Sequence, residues 1–306
     1  MAGKQRDVKV TFQPQEELGT KIYVLSFSGE EGISQLYRVE LNLVADAKKS
    51  IDFSRVVGKS GLLSLENDQG TRYFHGMICR FQQRYRERNW MVYSATLVPR
   101  AWRLNHKRDS RIFQKKTLEQ IVEEVLKPAN VECKFRLKGN KKPPKRTFCV
   151  QYRETDWNFV CRLLEEEGFH YYFEHQMSKH VMHISNDATY HPPISETDDE
   201  LAYHPPTTAP KEEAIISLFY EERVRTGKVS LNDFTFLKPA LDQKKKDKDG
   251  ATVDRDLELY DYPGLYPFPD EHEKGDSQEL QRKKDHTEAM PNMRLEALQG
   301  QRKVGT

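Results

Sequence analysis

Residues Tyr152–Tyr172 read Y-R-E-T-D-W-N-F-V-C-R-L-L-E-E-E-G-F-H-Y-Y, and the change of period inside this stretch decides the architecture. From Glu154 to Glu167, Trp157, Val160, Cys161 and Leu164 recur every three or four residues, the inner stripe of an amphipathic helix. Thr155 or Asp156 can cap its start, and Gly168 suits the C′ position, where a left-handed residue ends a helix. Phe169–Glu174 (F-H-Y-Y-F-E) then reads as a strand entered directly from the helix, with His180–Ser185 as its hairpin partner. The spacing therefore predicts a helix set among strands.

Outward from this stretch, the first hundred residues carry strand patterns. Lys21–Phe27 and Leu36–Leu43 are strand-length runs; in the second, Tyr37, Val39, Leu41 and Leu43 alternate with Arg38, Glu40 and Asn42, so one face is wet. A turn is expected over Ser28–Ser34, a strand at Gly61–Glu66 and a turn at Asn67–Gly70. Arg72–Tyr85 and Trp90–Val98, flanking the charged Arg86–Asn89, read as a long hairpin. This spacing suits a small barrel or sandwich. Thr117–Leu126 is a second helix, with Leu118, Ile121, Val122 and Val125 on one face, Thr117 and Gln120 as a capping box, and Pro128 as its stop.

Beyond the hairpin, Asn186–Lys211 is a long segment with H-P-P at His191–Pro193 and His204–Pro206, the kind that forms binding loops or lids. Strands are expected at Ala214–Arg225 and Lys228–Phe236, joined by a tight Thr226–Gly227 turn. Gln243–Gly250 reads as a solvated loop, and the last forty residues as a connector with a helix at Gln278–Ala289. The fold class is mainly β with α insertions, an α+β chain.

Composition removes several functional classes. Of 306 residues, 37% are hydrophobic and 31% charged, yet 15 Phe, 14 Tyr and 3 Trp argue for a folded chain with much polar surface. No apolar run approaches the ~18 residues of a membrane span, and Met1–Lys9 lacks the apolar stretch of a secretory signal. Cys79, Cys133, Cys149 and Cys161 form no C-x-x-C pair, so a reducing compartment and small core residues are expected. The formal charge of +2 predicts no bulk affinity for nucleic acid or anionic lipid. Charge is nevertheless segregated. Arg100–Arg146 holds 15 Lys and Arg against 5 Asp and Glu, and Glu154–Glu200 holds 2 against 11, a pattern that suggests docking within the chain or between subunits.

No catalytic constellation emerges. His170, His175, His180, His183 and His191 crowd together, but 170/175 and 180/183 are odd spacings, so on strands each pair points to opposite faces and no shared metal site is expected. Glu154 and Asp156 read as helix N-terminal carboxylates, and Arg162 as the partner of Glu165 and Glu166. His272-Glu273 lacks the second histidine of H-E-x-x-H; G-x-S-x-G, P-loop and G-x-G-x-x-G motifs are absent. The rival reading is a basic nucleic-acid-binding module, with Lys134, Lys138, Lys141, Lys142, Lys145 and Arg146 around a Gly139–Pro144 turn, although few aromatics accompany them for base stacking.

Tyr152–Tyr172 resembles the signature of the VgrG proteins, the tips of type VI secretion systems. Tyr37–Leu41 (Y-R-V-E-L), Phe74–Ile78 (F-H-G-M-I), Gly227–Pro239 (G-K-V-S-L-N-D-F-T-F-L-K-P) and Arg294–Gln299 (R-L-E-A-L-Q) agree in order. The resemblance implies two tube-type, barrel-like β domains as in phage baseplate hubs. It divides the chain into a first tube-type domain over 1–105, a basic insertion with the signature helix over 106–175, a second tube-type domain with a Pro-rich loop over 176–260, and a connector over 261–306. It implies a structural role rather than catalysis: three chains present six β domains to the hexameric tube of haemolysin-coregulated protein and carry a spike and effectors, with baseplate and adaptor proteins as further partners. No cofactor, nucleic acid or stable membrane insertion is implied. The chain would be cytoplasmic during assembly and exported on firing. Tyr152, Glu154, Asp156, Arg162, Leu163, Leu164, Glu165, Glu166, Gly168, Asp233, Phe234, Lys238 and Pro239 would be framework residues. Family members continue past the point matching Thr306 into an OB-fold and needle, so residues 1–306 alone are expected to be monomeric or weakly trimeric.

Overall fold

The computed structural model describes residues 8–67, 70–138, 142–191, 203, 215, 217–234, 244–248, 254, 256–264, 277–299 and 303–305. Strands β1 (Lys9–Pro14), β2 (Ile22–Glu30), β3 (Arg38–Asp46), β4 (Ser60–Asn67), β5 (Gly70–Glu87) and β6 (Trp90–Val98) form one antiparallel sheet in the order β1-β4-β5-β6-β3-β2. Between barrel and sandwich, the outcome is a curled half-barrel, whose edge strands β1 and β2 approach without pairing. Val39, Leu41, Leu43 and Ala45 are buried on the inner face of β3, with Phe12, Leu63, Ile78 and Leu97 beside them. Gly76 permits this curl, because a Cβ there would lie 2.9 Å from the Val98 carbonyl oxygen. The expected Ser28–Ser34 turn is shorter than read, since Ser28–Glu30 stay paired with Arg38–Glu40.

The chain then enters the insert through β7 (Arg108–Lys116), α1 (Leu118–Leu126), β8 (Cys133–Arg136), β9 (Arg146–Thr155), α2 (Asp156–Glu166), β10 (His170–His175) and β11 (His180–Ser185). Thr117 and Gln120 close the capping box of α1 reciprocally, at 3.3 and 3.0 Å. β7 and β9 pair into a two-stranded ribbon, while β8 joins the β10–β11 hairpin as a parallel third strand. The hairpin spans the boundary set at 175. The buried stripe of α2 is Trp157, Phe159, Val160, Leu163 and Leu164; Cys161 is only half-buried, because α2 packs on two sides, against α1 and against the ribbon.

The C-terminal part corrects several expectations. β12 (Tyr220–Glu222) and β13 (Lys228–Leu231) are not a hairpin about Thr226–Gly227. β13 pairs with β14 (Lys245–Lys248) and, in parallel, with β15 (Glu258–Asp261), because the Gly227 and Lys228 amides bond to Leu257 instead. β14 lies where a solvated loop was expected; its backbone completes the edge of β13 whatever its side chains. Helix α3 (Ser277–Gln299) runs ten residues past the expected Ala289 and through Pro291, since Met290, Leu295 and Leu298 continue its apolar contact with β13 and β15. β16 (Lys303–Gly305) pairs with β12.

Candidate functional site

Nine of the thirteen framework residues lie on β9, α2 and the turn after α2, where a β-bulge sets the geometry. The ladder shifts between Asp109↔Glu154 and Arg111↔Gln151, so Ser110 faces two residues, and Arg153 takes the left-handed region with φ 51°. A non-glycine residue there stores strain of order 1 kcal/mol. The Ser110 hydroxyl accepts from the Arg153 amide at 3.3 Å. This twist delivers Thr155 to the N-cap, where its hydroxyl accepts from the Asn158 amide at 3.1 Å; of the two candidate caps, Thr155 is the one. At the other end Gly168, φ 68°, follows the C-cap Glu167. Phe169 N–H bonds to Leu164 and Gly168 N–H to Glu165, the paired closure of a Schellman turn.

The acidic residues are consumed by cations rather than aimed at a cleft. Asp156, fully buried, accepts from Arg111 Nη2 at 2.6 Å and Gln151 Nε2 at 2.9 Å, with Lys107 Nζ 3.3 Å from its second oxygen. Arg162 is bound by Glu154 at 2.7 Å and Glu166 at 2.8 Å, and donates to the Val150 carbonyl. The hydrogen bond that Arg162 donates to Glu154 is the first cause of its raised pKa. Two readings are thereby corrected. Glu165 is not the partner of Arg162, because it sits on the exposed side of α2, and Glu154 belongs to β9 rather than to the first helical turn. Arg146 bridges Glu166 and Glu167 at 2.7 Å each; burial opposes its charge, but the two carboxylates outweigh that and hold it protonated. Glu167 also faces His286 of α3 at 3.2 Å. The segregated charges thus meet within one chain, as Lys138–Asp187 at 3.0 Å also shows.

The remaining framework residues separate. Leu163 and Leu164 are core, and Tyr152 is 66% exposed. Tyr152 shares the outer face of the ribbon with Ile112, Phe148 and Val150, while Phe113, Cys149 and Gln151 point inward. Asp233 and Phe234 follow β13, the latter exposed, and Lys238 and Pro239 lie outside the described residues. Of the basic block, Lys134, Lys142 and Lys145 are exposed, and Lys141 lies outside the described residues.

The histidines hold what the sequence reading missed. Each odd-spaced pair does divide between faces, but the Gln176–Lys179 turn pairs His175 directly with His180, so one face gathers His175, His180 and, from β5, His75. The sequence signal was present, since the two histidines stand symmetrically about a four-residue turn. On the other face His170 meets His191 at 2.9 Å, and His183 accepts from Arg136 at 3.0 Å. Among the described residues no three His, Cys, Asp or Glu converge for a metal ion. A depression of about 530 Å³ is lined by Glu119, Glu123, Cys133 and Lys134, where burial, with Glu123 and Glu132, pushes the Cys133 thiol up to about 11 and disfavours the thiolate. Among the described residues no helix is long and apolar enough to cross a membrane.

A curled antiparallel sheet is thus joined to a helix that ion pairs hold at both ends. The chain belongs to the phage tail baseplate hub (GPD) family, whose profile matches residues 30–306. It is 32% identical over 254 residues to the type VI secretion system spike protein VgrG1c of Pseudomonas aeruginosa, covering 81% of this chain and 34% of that protein. The spike protein VgrG4b of the same organism is likewise 32% identical, over 250 residues. This chain spans about a third of the length of these curated relatives. Among solved structures, the E. coli c3393 protein, a component of the type VI secretion system, superposes with TM-score 0.59 at 26% identity, over 70% of this chain and 56% of that one. The 43 kDa tail protein of prophage MuSo2 from Shewanella oneidensis shares the fold, with TM-score 0.52 at 13% identity over 98% of this chain and 81% of that one.

Proposed function

We propose that this chain is the base of a type VI secretion tip, a structural part that seats on the secretion tube and carries a spike with its effectors. The observation that carries this is the use of every charged framework residue on β9 and α2 except Glu165 in ion pairs that fix α2. In this reading the first sheet and the β13–β15 unit are tube-type domains, three chains supply six of them, and the hexameric tube protein, baseplate and effector proteins are the partners. The framework residues, Asp233, Phe234, Lys238 and Pro239 included, hold those domains in register. The chain works without catalysis or cofactor, and is made in the cytoplasm and exported with the apparatus. The outer ribbon face of Ile112, Phe148, Val150 and Tyr152 supplies apolar surface of the kind assembly covers.

Native mass spectrometry of the chain with the hexameric tube protein tests this. The expected species is three chains on one hexamer; a chain that stays monomeric with the tube present at tens of micromolar would refute it.

A further inference from the structure

The first sheet and the insert meet along β5 and the β10–β11 hairpin, and the polar part of that seam is built from imidazoles. Arg100 donates its backbone N–H to His180 Nε2 at 3.0 Å, so Nε2 acts as an acceptor and the ring proton sits on Nδ1. His180 Nδ1 lies 3.0 Å from His75 Nδ1, which must then accept, placing the His75 proton on Nε2. The His75 backbone N–H faces His175 Nδ1 at 3.2 Å, and His175 Nε2 faces Glu31 at 2.8 Å. Tyr37 donates its hydroxyl to the His75 carbonyl at 2.6 Å. His175 Nδ1 lies equally 3.2 Å from the His75 carbonyl oxygen, but from Arg100 through His180 to His75 the bonds run in one direction and work only while His75 and His180 are uncharged. A proton on His180 would set N–H against the Arg100 N–H; one on His75 would set N–H against N–H.

We propose that this seam is a proton-operated latch, closed near neutrality and opened in mild acid when His75 or His180 takes up a proton. Both imidazoles are held below the ordinary range, first by burial; His180 is driven to about 3, with His75, His175 and Arg100 adding to the effect. The sign follows from that direction. In the opened seam the rings recover an ordinary pKa of about 6.5, so the latch is intact above that pH and weakens as pH falls towards 3. The other charged or titratable groups facing the cluster are Glu31, which is shared with Arg72 at 3.6 Å, Arg100, and Tyr37, whose burial keeps it neutral. None supplies an acceptor for the second proton of His75 or His180. Apolar contact of Phe173 with both cores, and the Ser34 N–H bond to the Tyr171 carbonyl, complete the seam.

Amide hydrogen exchange of the whole chain, corrected for intrinsic rates, tests the latch between about pH 7.5 and about pH 5. The amides of His75, Arg100 and Ser34 should lose about tenfold or more of their protection, while Leu41 in the centre of the sheet keeps its own. In H75N/H180Q, whose amides offer neutral acceptors, protection at Arg100 and Ser34 should be the same at both values. Unchanged protection at His75 and Arg100 in the unmodified chain would overturn the proposal, and so would loss in step with Leu41. The unmodified chain alone decides the matter if the variant does not fold.

Discussion

The α2 insert and the C-terminal β unit hold themselves together by different means. The cluster around the insert has nineteen buried apolar residues, Ala101 and Leu104 of the preceding segment among them, and encloses Asp156, Gln151 and Glu167 with their partners. Among the described residues, the C-terminal cluster has three buried members, Val229, Leu231 and Leu295, with Leu259, Met290 and Leu298 half-covered. Leu218, Phe219, Tyr220 and Val224 in that part remain 66–72% exposed. The insert closes its inner core with its own residues and leaves the outer ribbon face of Ile112, Phe148, Val150 and Tyr152 exposed. Among the described residues, the C-terminal unit has the smaller core and exposes apolar side chains beside it.

The widest test of this contrast is core truncation. Phe159→Ala, which removes a ring stacked on Phe113, should lower unfolding free energy by about 4 kcal/mol, against about 2 kcal/mol for Leu231→Ala. Equal losses in urea melts would erase the difference. Next in size, Asp156→Ala strands Arg111 and should lose about 3 kcal/mol, most of it recovered in Arg111→Met/Asp156→Leu; no recovery would mean that the pair is more than a mutual neutralisation. Gly168→Ala forces a side chain into φ 68° and should lose about 1 kcal/mol by thermal melting. At the small end, Glu165→Gln should change stability by less than about 0.5 kcal/mol. A larger effect would put Glu165 back among the partners of Arg162.

Much of the insert was legible because its signals are local. The capping box of Thr117 and Gln120, the Gly168 stop and the β10–β11 hairpin each lie within a few residues of the feature they specify. β7 and β14 were not legible, because Lys245–Lys248 is all lysine and aspartate and Arg108–Lys116 sets only Ile112 and Phe113 among charged and polar residues, so both look like solvated chain. The backbone ladder of their partners selects them, and that information sits 14 to 47 positions away. The pairing of Arg146 with Glu167 and of His75 with His180 is hidden for the same reason. Periodicity tells which face a side chain occupies, not what arrives opposite it.

The strand order β1-β4-β5-β6-β3-β2 also carries a kinetic consequence. β2–β3 and β4–β5–β6 are local hairpins that can form early, but β3 joins β6, and β1 joins β4, only by closing long loops; Lys9 and Glu66 are 57 positions apart. The entropy of those closures comes before their contacts stabilise anything, so the two hairpin units should form first and dock in a slower step, with β1 added at the rim. Mutations in the β3–β6 seam, such as Leu41→Ala, should slow folding, whereas changes in β1 should chiefly speed unfolding.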